Sequence, residues 1–134
     1  MPIKKSITLV SENVYRHPCW FVFGYKWDDK FFQQVRRKDL ELTEAEEKQI
    51  APHPRRVSGK WVVNDRTAVS LIWINPESKA PLPVLIHEIT HLCVQILCAV
   101  GIPINQDTDE ALTYLVEYFS NEAFKLMGLK DMTR

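Results

Sequence analysis

The segment His87-Glu88-Ile89-Thr90-His91 combines side chains whose types and spacing suit metal-dependent hydrolysis. On a helix, two histidines four residues apart lie one turn apart on one face, so both imidazoles can reach one metal ion. The adjacent Glu88 carboxylate can lie beside a metal-coordinated water instead of binding the metal. Zinc lowers the pKa of such a water, and the carboxylate takes its proton as the water attacks a carbonyl. The segment therefore predicts a metallopeptidase-type zinc site.

The alternative for this segment is a helix that carries two histidines and a glutamate but binds no metal. The three ionisable residues interrupt a long apolar stretch that runs from 82 to 100. Ionisable groups are costly to bury unless they are paired or bound to a metal. The apolar surroundings therefore favour the metal site over a core helix without a ligand.

The third metal ligand must come from elsewhere in the chain, because a catalytic zinc usually has three protein ligands and a water. No histidine follows His91, and Leu97 stands where an elongated histidine motif has its third ligand. His17 and His53 lie far upstream in proline-flanked sequence. The alternative to a ligand role for each is an exposed loop histidine. A carboxylate is favoured, and the candidates are Asp107, Asp109, Glu110, Glu117 and Glu122.

Glu110 is the preferred carboxylate because it lies in the first turn of the next predicted helix, 19 residues after His91. A short connection at 101–103 would fold that helix back beside the first. The helix dipole also favours acidic residues in a first turn. The alternative role for Asp109 and Glu110 is therefore to stabilise the helix without binding a metal. The alternative role for Asp107 is the N-cap of this helix. Glu117 lies ~10 Å beyond Glu110 along the helix axis, where a solvated or supporting role fits better than a ligand.

The two segments His87-Glu88-Ile89-Thr90-His91 and Asp109-Glu110-Ala111 together resemble the gluzincin branch of the zincin metallopeptidases. The resemblance extends over residues 68–125 and also includes small zincin-like proteins encoded by phages and prophages. It implies an active-site helix with the ligands His87 and His91, a glutamate helix with the ligand Glu110, and Glu88 as general base. Many larger gluzincins have an acid four residues after the glutamate, where this chain has Tyr114.

Tyr114 lies one turn after Glu110 and is a candidate hydrogen-bond donor to a developing oxyanion. The alternative is a tyrosine that packs its ring in the core. The resemblance also implies that the strand before the active-site helix, at 68–75, lines the cleft and pairs with an extended peptide. A strand that only builds the sheet is the alternative there.

The surrounding pattern predicts a single α+β domain over residues 1–134, in which an antiparallel or mixed sheet packs on two long helices. The resemblance implies that these are an active-site helix and a glutamate helix. Strands are predicted at 7–10, 19–27, 60–63 and 68–75, the last two as a hairpin, with a turn at 28–30. Thr43-x-x-Glu46 is a capping box that predicts a short helix over 43–50. An apolar helix follows from 81 to Gly101, and another from 107 or 108 to about 127.

Composition favours a soluble, cytoplasmic protein of ordinary type. Lys plus Arg equals Asp plus Glu at 17 each, and a net charge of zero argues against nucleic acid as a partner. The N-terminus has no apolar run of signal length, and no run of about 18 purely apolar residues is present. Three cysteines without a CxxC pair suggest reduced thiols. The resemblance to small zincin-like proteins implies a phage-encoded protein in a bacterial host.

The predicted function is that of a zinc-dependent metallopeptidase that hydrolyses a peptide or protein substrate. The first alternative is a catalytically weak or inactive zinc-binding phage or prophage protein that acts through protein–protein contacts. A purely structural zinc site is the second alternative, in which removal of the metal would unfold the domain.

Overall fold

Four strands form one mixed sheet in the computed structural model, which describes residues 3–51 and 57–129. The strands are β1 (Ser6–Val10), β2 (Cys19–Phe23), β3 (Gly59–Asn64) and β4 (Val69–Ile74). Their order across the sheet is β1-β2-β4-β3. β1 and β2 are antiparallel, β2 and β4 are parallel, and β3 and β4 form an antiparallel hairpin. β1 and β3 are thus the edge strands.

Helices cover both faces of this sheet because side chains on a strand alternate between its two faces. On β4, Ile72 and Ile74 pack in a core with α3 (Pro81–Ala99) and α4 (Asp109–Leu126). The intervening Leu71 and Trp73 belong to a second core on the opposite face, where Phe32 lies in α1 (Lys30–Lys38). The predicted α+β class, the mixed sheet and the two long helices on it are confirmed.

The sequence analysis did not predict α1. The predicted turn at 28–30 contains Asp29, which is the N-cap residue of this helix. The Asp29 carboxylate accepts a hydrogen bond from the backbone N–H of Phe32, 3.1 Å away, which satisfies a free donor of the first turn. Gly24 adopts a φ of +78° directly after Phe23, where β2 ends. The strand is therefore shorter than the predicted 19–27.

The predicted capping box is confirmed at the start of α2 (Glu44–Ile50), where Thr43 and Glu46 each accept the other's backbone N–H. α2 joins α1 through a buried ion pair, since Glu47 Oε1 lies 2.5 Å from Arg36 Nε. Arg36 also donates to the carbonyl oxygen of Trp27 at 2.7 Å and stacks on its ring. These bonds satisfy the buried guanidinium, as a charge in a protein interior requires.

α3 is the central helix of the larger core. Its length and a mean hydropathy of 1.6 over 18 residues would by themselves suffice for a membrane span. Leu85, Ile89, Leu92 and Ile96 are fully buried against the sheet and α4, which is the placement expected of a core helix in a soluble protein. The helix ends at the predicted place, with Gly101 at a φ of +78°.

The strand that precedes α3 is not an edge strand, which corrects the expectation that residues 68–75 pair with a peptide. β4 is hydrogen-bonded to β2 on one side and to β3 on the other, so its backbone groups already have partners. On the α3 side of the sheet, the edge belongs to β3. Gly59 brings β3 close to α3, because a Cβ added there would lie 2.6 Å from Val84 Cγ1.

Candidate metal centre

His87 and His91 form a close pair on the outer face of α3. Their Nε2 atoms are 3.1 Å apart, and the two rings stand edge to face at 80°. Two nitrogen lone pairs at this distance repel each other unless a proton or a cation lies between them. Zinc–nitrogen bonds of about 2.0–2.1 Å in a tetrahedral site would place two ligand nitrogens ~3.3 Å apart. The histidine pair therefore fits two positions of such a site.

The helical period of α3 explains why these two imidazoles face solvent while their neighbours are buried. Leu85, Ile89 and Leu92 point into the core, and His87 lies roughly opposite them at ~100° per residue. The His87 side chain is 67% exposed, so a metal ion and its further ligands can approach it without opening the core.

Glu88 lies at the border between this exposed face and the core. Its side chain is only 11% exposed, and its Oε1 is 4.0 Å from His87 Nε2. The carboxylate is thus adjacent to the nitrogen pair, with little freedom to move away from it.

Trp61 of β3 supports His91 from the sheet side, a contact that the sequence did not reveal. The two rings stack with centroids 5.9 Å apart and an interplanar angle of 17°. The indole Nε1–H donates to Ser70 Oγ at 3.3 Å, which fixes the plane of the indole. The contact joins a strand to a helix 30 residues later, so no local spacing could have shown it.

Glu110 is not brought to the histidine pair. It is exposed in the first turn of α4, and α4 contacts α3 and β1. His91 instead stacks on Trp61 of β3. Within 3–51 and 57–129, no three His, Cys, Asp or Glu side chains converge closely enough to hold one ion. The assignment of Glu110 as third ligand therefore stays a prediction.

The other carboxylate candidates also lie apart from the pair. Asp107, Asp109 and Glu117 are exposed, and Thr108 rather than Asp107 is the N-cap residue of α4. Glu122 pairs with Lys125 at 3.5 Å. His53 lies outside the described residues.

Tyr114 is exposed on α4 and is not part of the core, and its hydroxyl is already engaged. It donates to Glu12 Oε1 at 2.7 Å, so an oxyanion role would require this hydrogen bond to break. The Glu12 carboxylate beside the phenol raises the pKa of Tyr114 to about 12. The engaged hydroxyl and the raised pKa both argue against Tyr114 as a hydrogen-bond donor in catalysis. Among the described contacts, none connects Tyr114 with the histidine pair.

Glu12 is a buried carboxylate that sequence reasoning missed. Burial by itself raises its pKa, but hydrogen bonds from Tyr114 and from the backbone N–H groups of Tyr15 and Val14 outweigh this effect. The net pKa lies below the usual value. Tyr118 also donates to the carbonyl of Ser11 at 2.8 Å. The two tyrosines thus tie α4 to the loop between β1 and β2.

His17 lines a cavity of about 110 Å³ further along α3, between that helix and the β3–β4 turn. Gln95 belongs to the same cavity and lies four residues after His91. The polar residues His87, His91 and Gln95 follow one another at four-residue spacing along one side of α3. That stripe was the signal in the sequence that could have located the cavity.

No family model, curated protein or solved structure matches this chain.

Proposed function

We propose that this protein is a zinc-dependent metallopeptidase with a zincin-like, gluzincin-type site. The observation that supports this proposal is the pair of Nε2 atoms of His87 and His91, 3.1 Å apart on the exposed face of α3. When bound, zinc supplies Lewis-acid activation of water and of a peptide carbonyl. Neutral imidazole is a good zinc ligand, so the donor set suits this metal.

Glu88 is the proposed general base. Its carboxylate, held 4.0 Å from His87 Nε2 by the rigid helix, accepts a proton from the attacking water and returns it to the leaving amine. The low exposure of its side chain limits competition from bulk solvent. Trp61 keeps the His91 ring in one orientation by stacking on it.

Glu110 is proposed as the third ligand on the resemblance to gluzincins alone. In the part of the chain that the structure describes, Glu110 does not converge with His87 and His91 into one group of ligands. Metal binding through Glu110 therefore requires the first turn of α4 to move relative to α3. Loss of zinc in Glu110→Gln, with retention in Glu117→Gln about two turns further along the same face of the helix, would support this assignment.

The first test is the zinc content of the purified protein by elemental analysis. We expect about one zinc per chain, as two histidines and one further ligand would bind it, and we expect His87→Ala and His91→Ala to lose it. His17→Ala is the matched control, since its imidazole lies in the neighbouring cavity, and it should retain the metal. A wild-type protein that binds no zinc even when zinc is supplied would overturn the proposal.

The second test separates a peptidase from a zinc protein that acts through contacts. Glu88→Gln should keep its zinc but lose peptide hydrolysis by at least about a hundredfold, the usual contribution of a general base. The displacement of Glu110 from the histidine pair is the observation that favours the second candidate, a zinc-binding phage or prophage protein without efficient catalysis. Zinc binding without any Glu88-dependent cleavage would select that candidate.

A further inference from the structure

The cavity beside α3 is lined by both polar and apolar residues. Its polar lining residues are His17, Asp65, Ser70 and Gln95. They come from four different places in the chain, the β1–β2 loop, the β3–β4 turn, β4 and α3, so only the folded domain brings them together. A volume of about 110 Å³ is well above the ~10–15 Å³ that one water needs. The cavity can therefore hold a long side chain.

Two contacts connect this cavity to the histidine pair. Gln95 follows His91 by one helical turn, which is ~6 Å along the helix axis. Ser70 accepts a hydrogen bond from the indole of Trp61, and that indole stacks on His91. The wall of the cavity is thus the continuation of the candidate metal centre. A peptide bond held at His87 and His91 has a neighbouring side chain within reach of the cavity.

The lining also indicates which kind of side chain fits. Asp65 and Gln95 contribute acceptor oxygens, and Ser70 can accept as well. Arg66, the cation next to Asp65 in the chain, is directed elsewhere and binds Glu46 at 3.1 Å. The walls of Val63 and Ile96 can pack against methylene groups. Lys and Arg combine an apolar stem with a head group that only donates hydrogen bonds.

We infer that this cavity is a side-chain subsite for a lysine or arginine of a peptide bound at His87 and His91. The inference rests on the proposed function for its link to peptide hydrolysis. The recognition chemistry belongs to the cavity itself, because Asp65, Ser70 and Gln95 would bind a cationic head group in the absence of any metal. An anionic side chain is disfavoured by the Asp65 carboxylate.

The subsite is tested without any cleavage by titrating the whole protein with n-butylammonium and n-butylguanidinium in nuclear magnetic resonance experiments. Both cations should shift the amide signals of Ser70 and Gln95 in a saturable way. Neutral pentan-1-ol and anionic valerate have similar stems and should bind more weakly. Equal shifts with the alcohol, or no saturable shift with either cation, would overturn the inference.

Asp65→Asn supplies the matched variant, since Asp65 is exposed in the β3–β4 turn and its replacement leaves the core intact. It should weaken binding of both cations by about 1.4- to 5-fold, the usual effect of one exposed charge pair. Asp39→Asn, on the other face of the sheet, should bind them like the wild type. A cation affinity that does not change in Asp65→Asn would remove the electrostatic basis of the inference.

A peptide series then relates the subsite to the proposed function. Zinc-loaded protein should cleave peptides with Lys or Arg next to the scissile bond faster than those with norleucine, and Asp65→Asn should reduce this preference. Cleavage without such a preference, with no cation binding, rejects the subsite and leaves the peptidase proposal standing. Saturable cation binding without any cleavage supports the subsite and counts against the peptidase.

Discussion

The hydrogen bond between Tyr114 and Glu12 raises the pKa of the phenol and is one of several hydrogen bonds that lower the pKa of the carboxyl. The pKa of Tyr114 is raised to about 12, first because its hydroxyl donates to the Glu12 carboxylate. We expect Glu12→Gln to return the phenol toward its ordinary pKa of about 10, because the negative charge is lost. A nuclear magnetic resonance titration of the Tyr114 ring measures this change. An unchanged high pKa in the variant would show that Glu12 is not its cause.

The same carboxylate predicts how stability depends on pH. The folded-state pKa of Glu12 is depressed, so its contribution is present above the unfolded pKa of about 4.5 and is lost as the pH falls. The unfolding free energy of the wild type should therefore drop more steeply between about pH 5 and 3 than that of Glu12→Gln. The pH dependence that remains in Glu12→Gln includes a contribution from Glu46. The pKa of Glu46 is lowered to about 2, first by its hydrogen bond from Arg66.

Urea unfolding at several pH values measures this difference. Glu77→Gln, in an exposed turn, is the matched control and should keep the wild-type slope. Identical slopes in the wild type and Glu12→Gln would contradict the assignment.

Trp61 is expected to matter for metal affinity although it is not a ligand. Its ring fixes the orientation of His91, and residues that orient a metal ligand usually contribute about 10- to 100-fold in affinity. Trp61→Ala should weaken zinc binding within this range, and Trp61→Phe, which keeps a stacking ring, should weaken it less. Competition with a chromophoric chelator measures both. Equal losses in the two variants would exclude stacking as the cause.

The residues of the site differ in how far the sequence could reveal them. His87, Glu88 and His91 are neighbours on one helix, so local spacing was sufficient to group them. Trp61 and Glu12 act through contacts with residues 30 and 102 positions away, which depend on the packing of β3 and α4. These contacts become visible only in three dimensions.

At the scale of elements, β3 and α3 meet at Gly59. A Cβ there would lie 2.6 Å from Val84 Cγ1 and 3.1 Å from the carbonyl oxygen of Trp73, so Gly59→Ala must push the strand from the helix. We expect it to cost about 1–3 kcal/mol in unfolding free energy, the usual range for overpacking. In Gly59→Ala/Val84→Ala the loss should be smaller than the sum of the single losses, since the nearest clash is removed.

Chemical denaturation of the four proteins of this cycle measures the coupling. Gly101→Ala is the control. An alanine at position 101 is strained by the positive φ of the backbone and not by a clash, because nothing lies within 4 Å of the added Cβ. It should lose stability and show no coupling with Val84→Ala. A strictly additive cycle at Gly59 would contradict the close approach of β3 and α3.

The elements that the sequence predicted are those with strong local patterns. In α3 and α4, apolar residues recur at helical spacing over several turns. α2 begins with the Thr43–Glu46 capping box. α1 was missed because it is short and polar, and its capping Asp29 resembles a turn residue. The parallel pairing of β2 with β4 joins strands about 50 residues apart, and no local pattern encodes it. This pairing makes β3 the edge strand and so determines which strand borders the histidine pair.

For the molecule as a whole, we expect the fold to persist when the proposed metal is removed. The core beneath α3 is formed by fully buried residues such as Leu85, Ile89 and Phe119, and none of them belongs to the candidate centre. His87, by contrast, is 67% exposed, so a bound ion adds contacts at the surface. Zinc at 100 times its dissociation constant would stabilise the folded state by about 2.7 kcal/mol without being required for folding.

Treatment with a chelator should therefore leave the far-ultraviolet circular dichroism spectrum unchanged and lower only the midpoint of a still cooperative thermal transition. His87→Ala is the control and should not respond to the chelator, because it has no zinc to lose. Loss of the cooperative transition in the chelated wild type would instead identify a structural zinc site. The surface position of the histidine pair, outside a complete hydrophobic core, is the reason to expect a functional metal and not a structural one.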